Sequence, residues 1–120
     1  MSAEGARAID FNHLDAYTAG DQDLIREVLR LFKTQVSHLL TVLAGADDPK
    51  LWKDTAHGIK GAARGIGAWS VAETAAEVEK SDFSNMTGRF AALARLGAAF
   101  DCVQAEIDAA CELIDFWRFN

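Results

Sequence analysis

Lys53, His57, Lys60, Gly61 and Arg64 fall at helical spacing in the stretch "KDTAHGIKGAARGIGAW", where an imidazole is flanked by three cations and followed one turn later by a glycine. A neutral imidazole nitrogen is a nucleophile near neutral pH, and clustered cations offset the charge of a dianionic phosphoryl group. Side chains at i and i+4 are neighbours on a helix, so a Cβ at position 61 would crowd His57, whereas glycine leaves the ring open to another molecule. The same stretch carries Gly58, Gly65 and Gly67. Glycines inside a helix cost about 1 kcal/mol each relative to alanine, which calls for a reason.

Whether these residues can act together depends on the elements that carry them. Asp48 in the N-cap position and Pro49 in the first helical position start a helix that runs to about Gly67. At about 100° per residue, Trp52, Thr55, Ala56, Ile59, Ala62, Ala63 and Ile66 share one mostly apolar stripe. His57 projects almost opposite it, with Lys53, Lys60 and Arg64 on its own side. Gly65 lies on the outer side as well.

The remaining segments also read as helices. A short one is expected near residues 10–18, ending at Gly20. A long one follows between Asp21 and Gly45, with Leu24, Ile25, Val28, Leu29, Phe32, Val36, Leu39, Leu40 and Leu43 stepping by threes and fours. Ser70 and Glu73 fit a capping box opening a fourth helix, "SDFSN" reads as a turn, and a last helix spans about 86–116. Its expected core seam is Met86, Phe90, Leu93, Gly97, Phe100, Val103, Ile107, Ala110 and Ile114. The fold expected is all-α: an antiparallel up-and-down four-helix bundle, about residues 21–116, with a short additional N-terminal helix, in one domain spanning 1–120.

Composition narrows the function. The net charge of −6 argues against nucleic acid and against an anionic membrane surface as partners. The start "MSAEGARAID" lacks the apolar core of a signal peptide, so the cytoplasm is the expected location. Cys102 and Cys111 lie about 13 Å apart along one helix, too far to pair, and are expected as reduced core thiols. His13 and His38 are expected at the surface. With Asp10 they fall short of a metal-ligand set, so neither metal nor other cofactor is expected in this chain.

These residues resemble the histidine-containing phosphotransfer (HPt) domains of two-component phosphorelays. The family's signature, A-H-x-[LI]-K-G-x-x-x-x-x-G-A, is met by Ala56, His57, Ile59, Lys60, Gly61, Gly67 and Ala68. "GDQDLIREVLRLF" looks like the segment opening the family's second helix. The resemblance implies that His57 accepts a phosphoryl group from a receiver-domain aspartate of a hybrid histidine kinase and passes it to a response regulator's aspartate. Lys60 would compensate charge, Gly61 would clear access, and Gly67 with Ala68 would form the bend after the helix. Lys53, Arg64, Gly65 and Gly58 would border the docking surface, which is expected to be apolar, around His57, and supplied by the ends of the second and third helices. Mg²⁺ would be needed only in the receiver, and the protein would act as a monomer.

The chain departs from the family in having Gly58 where Ser or Thr is common, and Ala62 and Ala63 where small hydroxyl residues are common. Other readings are a degenerate HPt acting as a non-catalytic helical adaptor, the phosphotransfer domain of a larger chemotaxis-type kinase, and the dimerisation helix of a sensor histidine kinase. In that last class an acidic residue usually follows the histidine, and here Gly58 does. No G-x-x-x-x-G-K-[ST] nucleotide loop occurs, so a phosphocarrier is expected rather than a kinase.

Overall fold

The computed structural model describes residues 8–119. Five helices follow one another: α1 (Phe11–Thr18), α2 (Gln22–Ala44), α3 (Pro49–Ile66), α4 (Trp69–Lys80) and α5 (Met86–Phe119). Among the described residues there is no strand, and no helix is long and apolar enough to cross a membrane. Local chemistry sets the helix starts. The carboxylates of Asp10, Asp21 and Asp48 accept the backbone N–H groups of His13, Leu24 and Leu51, and Pro49 occupies the first turn of α3.

Neighbouring helices close a ring: α2 packs on α3, α3 on α4, α4 on α5, and α5 back on α2, while α1 lies against α2 and α3. Inside the ring sit Leu29, Phe32 and Val36 of α2, Trp52, Ile59 and Ile66 of α3, Val71, Ala75 and Val78 of α4, and Leu96, Phe100, Val103 and Ile107 of α5. The apolar stripe expected on α3 is the one buried, apart from Ala62, which is half-buried.

Several expectations need correction. Ser70 does not cap α4. The helix starts two residues earlier, with Ala68 in the N-cap position and no side-chain cap, because Ala68 belongs to the turn that closes α3. Ser70 lies inside the helix, where its carbonyl accepts the Thr74 hydroxyl.

The first part of the α5 seam is also displaced. Met86 and Phe90 are 57% and 63% exposed, and Ala92 and Leu96 are buried instead. The ion pairs Arg26–Asp115 and Lys33–Asp108 set an antiparallel register between α2 and α5, in which Ala44 ends level with the region of Gly97. The α5 turns before that point lie past the end of α2, where Arg89 sets its guanidinium over Phe83 and Trp52 while Met86 and Phe90 stay exposed.

Cys102 is exposed and Cys111 half-buried, so neither is a core thiol. Both are free, and burial pushes the Cys111 thiol up. His38 is exposed. His13 is half-buried, its ring 5.1 Å from that of Trp69 in an edge arrangement.

Candidate functional site

His57 sits mid-way along α3 on the side away from the core, its side chain 67% exposed. Its Nδ1 lies 2.9 Å from Oε2 of Glu79, a residue of α4. The other oxygen of that carboxylate, Oε1, accepts from the Lys60 ammonium at 2.6 Å. Glu79 therefore holds the His57 and Lys60 side chains of α3 from the neighbouring helix. Lys60 and Glu79 are 16% and 19% exposed, so their charges are largely withdrawn from water while the imidazole remains in it.

The electrostatics fix the proton on the ring. The hydrogen bond from Lys60, and then that with His57, lower the Glu79 pKa below its ordinary 4.5 against the opposing effect of burial, so the carboxylate is ionised at neutral pH. An ionised carboxylate only accepts hydrogen bonds, so in the neutral ring the hydrogen belongs on Nδ1. The lone pair then resides on Nε2, the nitrogen not engaged by Glu79.

Lys53 and Arg64 are both exposed, on the flank of α3 that leans toward α4, and neither has an ion pair among the described residues. The cations expected around His57 thus divide into two kinds: Lys60, committed to Glu79, and the outer pair Lys53 and Arg64, facing solvent.

The glycines occupy the opposite flank. A Cβ on Gly61 or Gly65 would meet nothing within 4 Å, and one on Gly58 would make only an ordinary 3.8 Å contact with Leu39. Internal packing therefore requires none of the three, and a Cβ on Gly61 would not touch the His57 ring, contrary to the crowding expected from the i,i+4 spacing. Beside them Tyr17, Val28, Leu31, Phe32, Gln35, Ala62, Gly65 and Ile66 line a shallow groove of about 220 Å³ between α1, α2 and α3. Leu31 is 59% and Tyr17 68% exposed. An apolar surface is present, but α2 contributes to it from its middle rather than its end, α3 from its last turns, and α1 adds Tyr17.

Gly67 differs from the other glycines because its own geometry demands it. Its φ is +78°, and a Cβ there would lie 3.0 Å from both Cβ and O of Asp10. The Ala68 N–H donates to Ala63 O and the Gly67 N–H to Arg64 O, closing α3 in a Schellman turn with Ala63 and Ala68 both fully buried. Gly67 O in turn accepts from Asp10 N, fastening the start of α1 to the α3–α4 corner.

Sequence reasoning missed Glu79, which lies 22 residues from His57 on another helix. A signal was present. Ala72, Ala75 and Glu79 step by three and four along the inner side of α4, so a carboxylate continues a buried stripe and needs a cation partner there. Among the described residues no group of three or more His, Cys, Asp or Glu side chains is arranged to hold a metal ion.

The site is thus an exposed imidazole held by a half-buried carboxylate and bordered by cations and open glycines on a helical scaffold. The Hpt domain model matches residues 27–113, and the chain belongs to that family, whose members are phosphocarriers in phosphorelay signalling. A solved structure, the histidine phosphotransferase ShpA from Caulobacter crescentus, is 31% identical, with a TM-score of 0.73 over 94% of this chain and 99% of that one. Comparison with curated protein sequences gives no match.

Proposed function

We propose that this protein is the histidine phosphotransfer intermediate of a phosphorelay, with His57 as phosphoacceptor between two receiver-domain aspartates. The observation that carries the reading is the exposed His57 ring whose Nδ1 is held by Glu79 beside Lys60. That arrangement presents a nucleophilic Nε2 in a fixed direction, and positioning supplies much of the catalysis in phosphoryl transfer.

In the first step the Nε2 lone pair attacks the phosphorus of an aspartyl phosphate on the donor receiver. The bond between phosphorus and the aspartyl oxygen breaks, its electron pair leaves with the carboxylate, and an N–P bond forms. The ring becomes an imidazolium whose Nδ1–H remains on the Glu79 carboxylate. In the second step an aspartate oxygen of the acceptor receiver attacks the same phosphorus, the N–P electrons return to Nε2, and the neutral ring is restored. Mg²⁺ would be held by the receiver in both steps. Gly61 keeps the approach to Nε2 clear, and the groove beside Gly65 receives apolar side chains of the partner.

On this reading α2 to α5 form an antiparallel up-and-down four-helix bundle, residues 1–120 act as one HPt domain, and one copy suffices because α3 and α4 of a single chain supply the site. Purified protein mixed with a phosphorylated receiver is expected to gain an acid-labile phosphoryl group, and His57→Gln to gain none while still binding the receiver. Equal labelling of the variant would overturn the assignment.

A further inference from the structure

Charge is partitioned unevenly between α3 and the rest of the chain. Pro49–Ile66 carries Lys50, Lys53, Lys60 and Arg64 against Asp54 alone, a formal +3, so the remainder of a chain of net −6 carries −9. Within α3 two of those cations are committed: Lys50 lies 2.5 Å from Asp54 and Lys60 2.6 Å from Glu79. Lys53 and Arg64 are the α3 cations left without an ion pair, both exposed, and they straddle His57. At about 1.5 Å per residue they stand roughly 6 Å and 10 Å from it along the axis, a span of about 16 Å.

We infer that Lys53 and Arg64 form a two-point electrostatic clamp that selects partners carrying acidic side chains on both sides of the reacting aspartate, about 16 Å apart. The inference rests on His57 being the phosphoacceptor. Its physical basis is contrast. An acidic partner surface is repelled by most of this molecule and attracted along one flank of α3, so productive encounters are favoured over the rest. The opposite flank, lined by Gly58, Gly61 and Gly65 beside exposed Leu31, carries no unpaired charge, since Asp54 there is paired with Lys50. A partner must therefore bring its acidic side toward α4 and its apolar side toward α2, which fixes its rotation about His57. With a Debye length of about 8 Å at physiological salt, the two cations act as separate contacts and both are needed to set that rotation.

The test uses the receiver domain of the source organism that labels His57 fastest. Second-order rate constants for transfer, and the affinity of the unphosphorylated receiver, are measured from about 0.02 to 0.5 M salt for wild type, Lys53→Glu, Arg64→Glu and the double variant. Lys53→Gln and Arg64→Gln serve as milder versions, with thermal melts to confirm folding. Each reversal is expected to lower the low-salt rate several-fold, and the double reversal by about tenfold or more, with the curves converging at high salt. Arg30→Glu, which makes the same change of charge in the groove between α2 and α5, is expected to leave both readouts near wild type. Replacing the receiver's two acidic residues by lysine should rescue the double variant.

Unchanged salt dependence in the double variant, or an equal effect of Arg30→Glu, would overturn the clamp. The affinity measurement separates this outcome from failure of the phosphoacceptor assignment, because it is read without any phosphoryl transfer.

Discussion

Glu79 is the residue on which the chemistry of His57 turns, because it sets which ring nitrogen carries the hydrogen. Replacing it by Gln preserves an acceptor for Nδ1–H but leaves Lys60, 16% exposed, without its counter-charge. Glu79→Gln is expected to cost about 1 to 3 kcal/mol in denaturant unfolding. It should also slow labelling of His57 by about 10-fold to 100-fold, the range found where a carboxylate orients a metal-bound imidazole. The stability loss has a defined pH dependence. Because Lys60 and His57 lower the Glu79 pKa in the folded protein, its contribution is complete above the ordinary value of 4.5 and is lost as pH falls through the lowered value. The gap between wild type and Glu79→Gln should therefore narrow as acid is added below that point, and a gap that widened would contradict the ion-pair account. The positions of His57, Lys60 and Gly61 were legible in the sequence because they share one helix, where spacing fixes direction. Glu79 was not, because its role depends on the rotation of α4 against α3, which no periodicity within either helix encodes.

At the scale of elements, α3 gives up helical stability along one flank and recovers a rigid ending. Gly58, Gly61 and Gly65 leave space that a methyl group could occupy without internal conflict. Gly61→Ala is thus expected to raise stability by about 0.5 to 1 kcal/mol, read as a higher melting temperature, while slowing phosphoryl transfer, because the methyl takes space beside His57 that a docking receiver is proposed to occupy. A variant that gained stability and kept full transfer would show that Gly61 does not serve access. Gly67→Ala should behave oppositely. The positive φ and the 3.0 Å approach to Asp10 make any side chain strained, with an expected loss of about 1 to 3 kcal/mol and loosening of α1 from the α3–α4 corner, measurable by hydrogen exchange at Asp10. Helix starts marked by Asp and Pro were legible, since the capping side chain is local. Ser70 and Glu73 misled because the Schellman turn at Gly67 leads directly into α4 and leaves no room for a separate cap. Met86 and Phe90 misled for a different reason: their spacing suits a core seam, but α2 ends before it can cover them.

For the molecule as a whole, the question is what holds α5 on α2, since that contact closes the ring that keeps α3 and α4, and with them His57 and Glu79, in register. Among the described residues the ion pairs Arg26–Asp115 at 2.8 Å and Lys33–Asp108 at 2.7 Å cross it, with side chains between 26% and 59% exposed. Pairs this open to solvent contribute about 0 to 1 kcal/mol and are screened by salt. Fully buried Val103 and Ile107 of α5, with Phe32 and Phe100 facing each other at 6.1 Å between ring centroids, offer far more. Removing a buried Leu or Ile side chain to Ala costs about 2 to 5 kcal/mol, because the lost apolar contact adds to the cavity left behind. Ile107→Ala should therefore destabilise the protein several times more than Asp108→Ala, one residue along the same helix. Its loss should persist in about 1 M salt, where that of Asp108→Ala should vanish. Comparable losses for the two variants at low salt would mean that charge, not the apolar interior, closes the ring. If the apolar interior closes it, the surface charges of α2 and α5 are free to vary without disturbing Glu79 and His57, and the charges on α3 are left to answer to the partner.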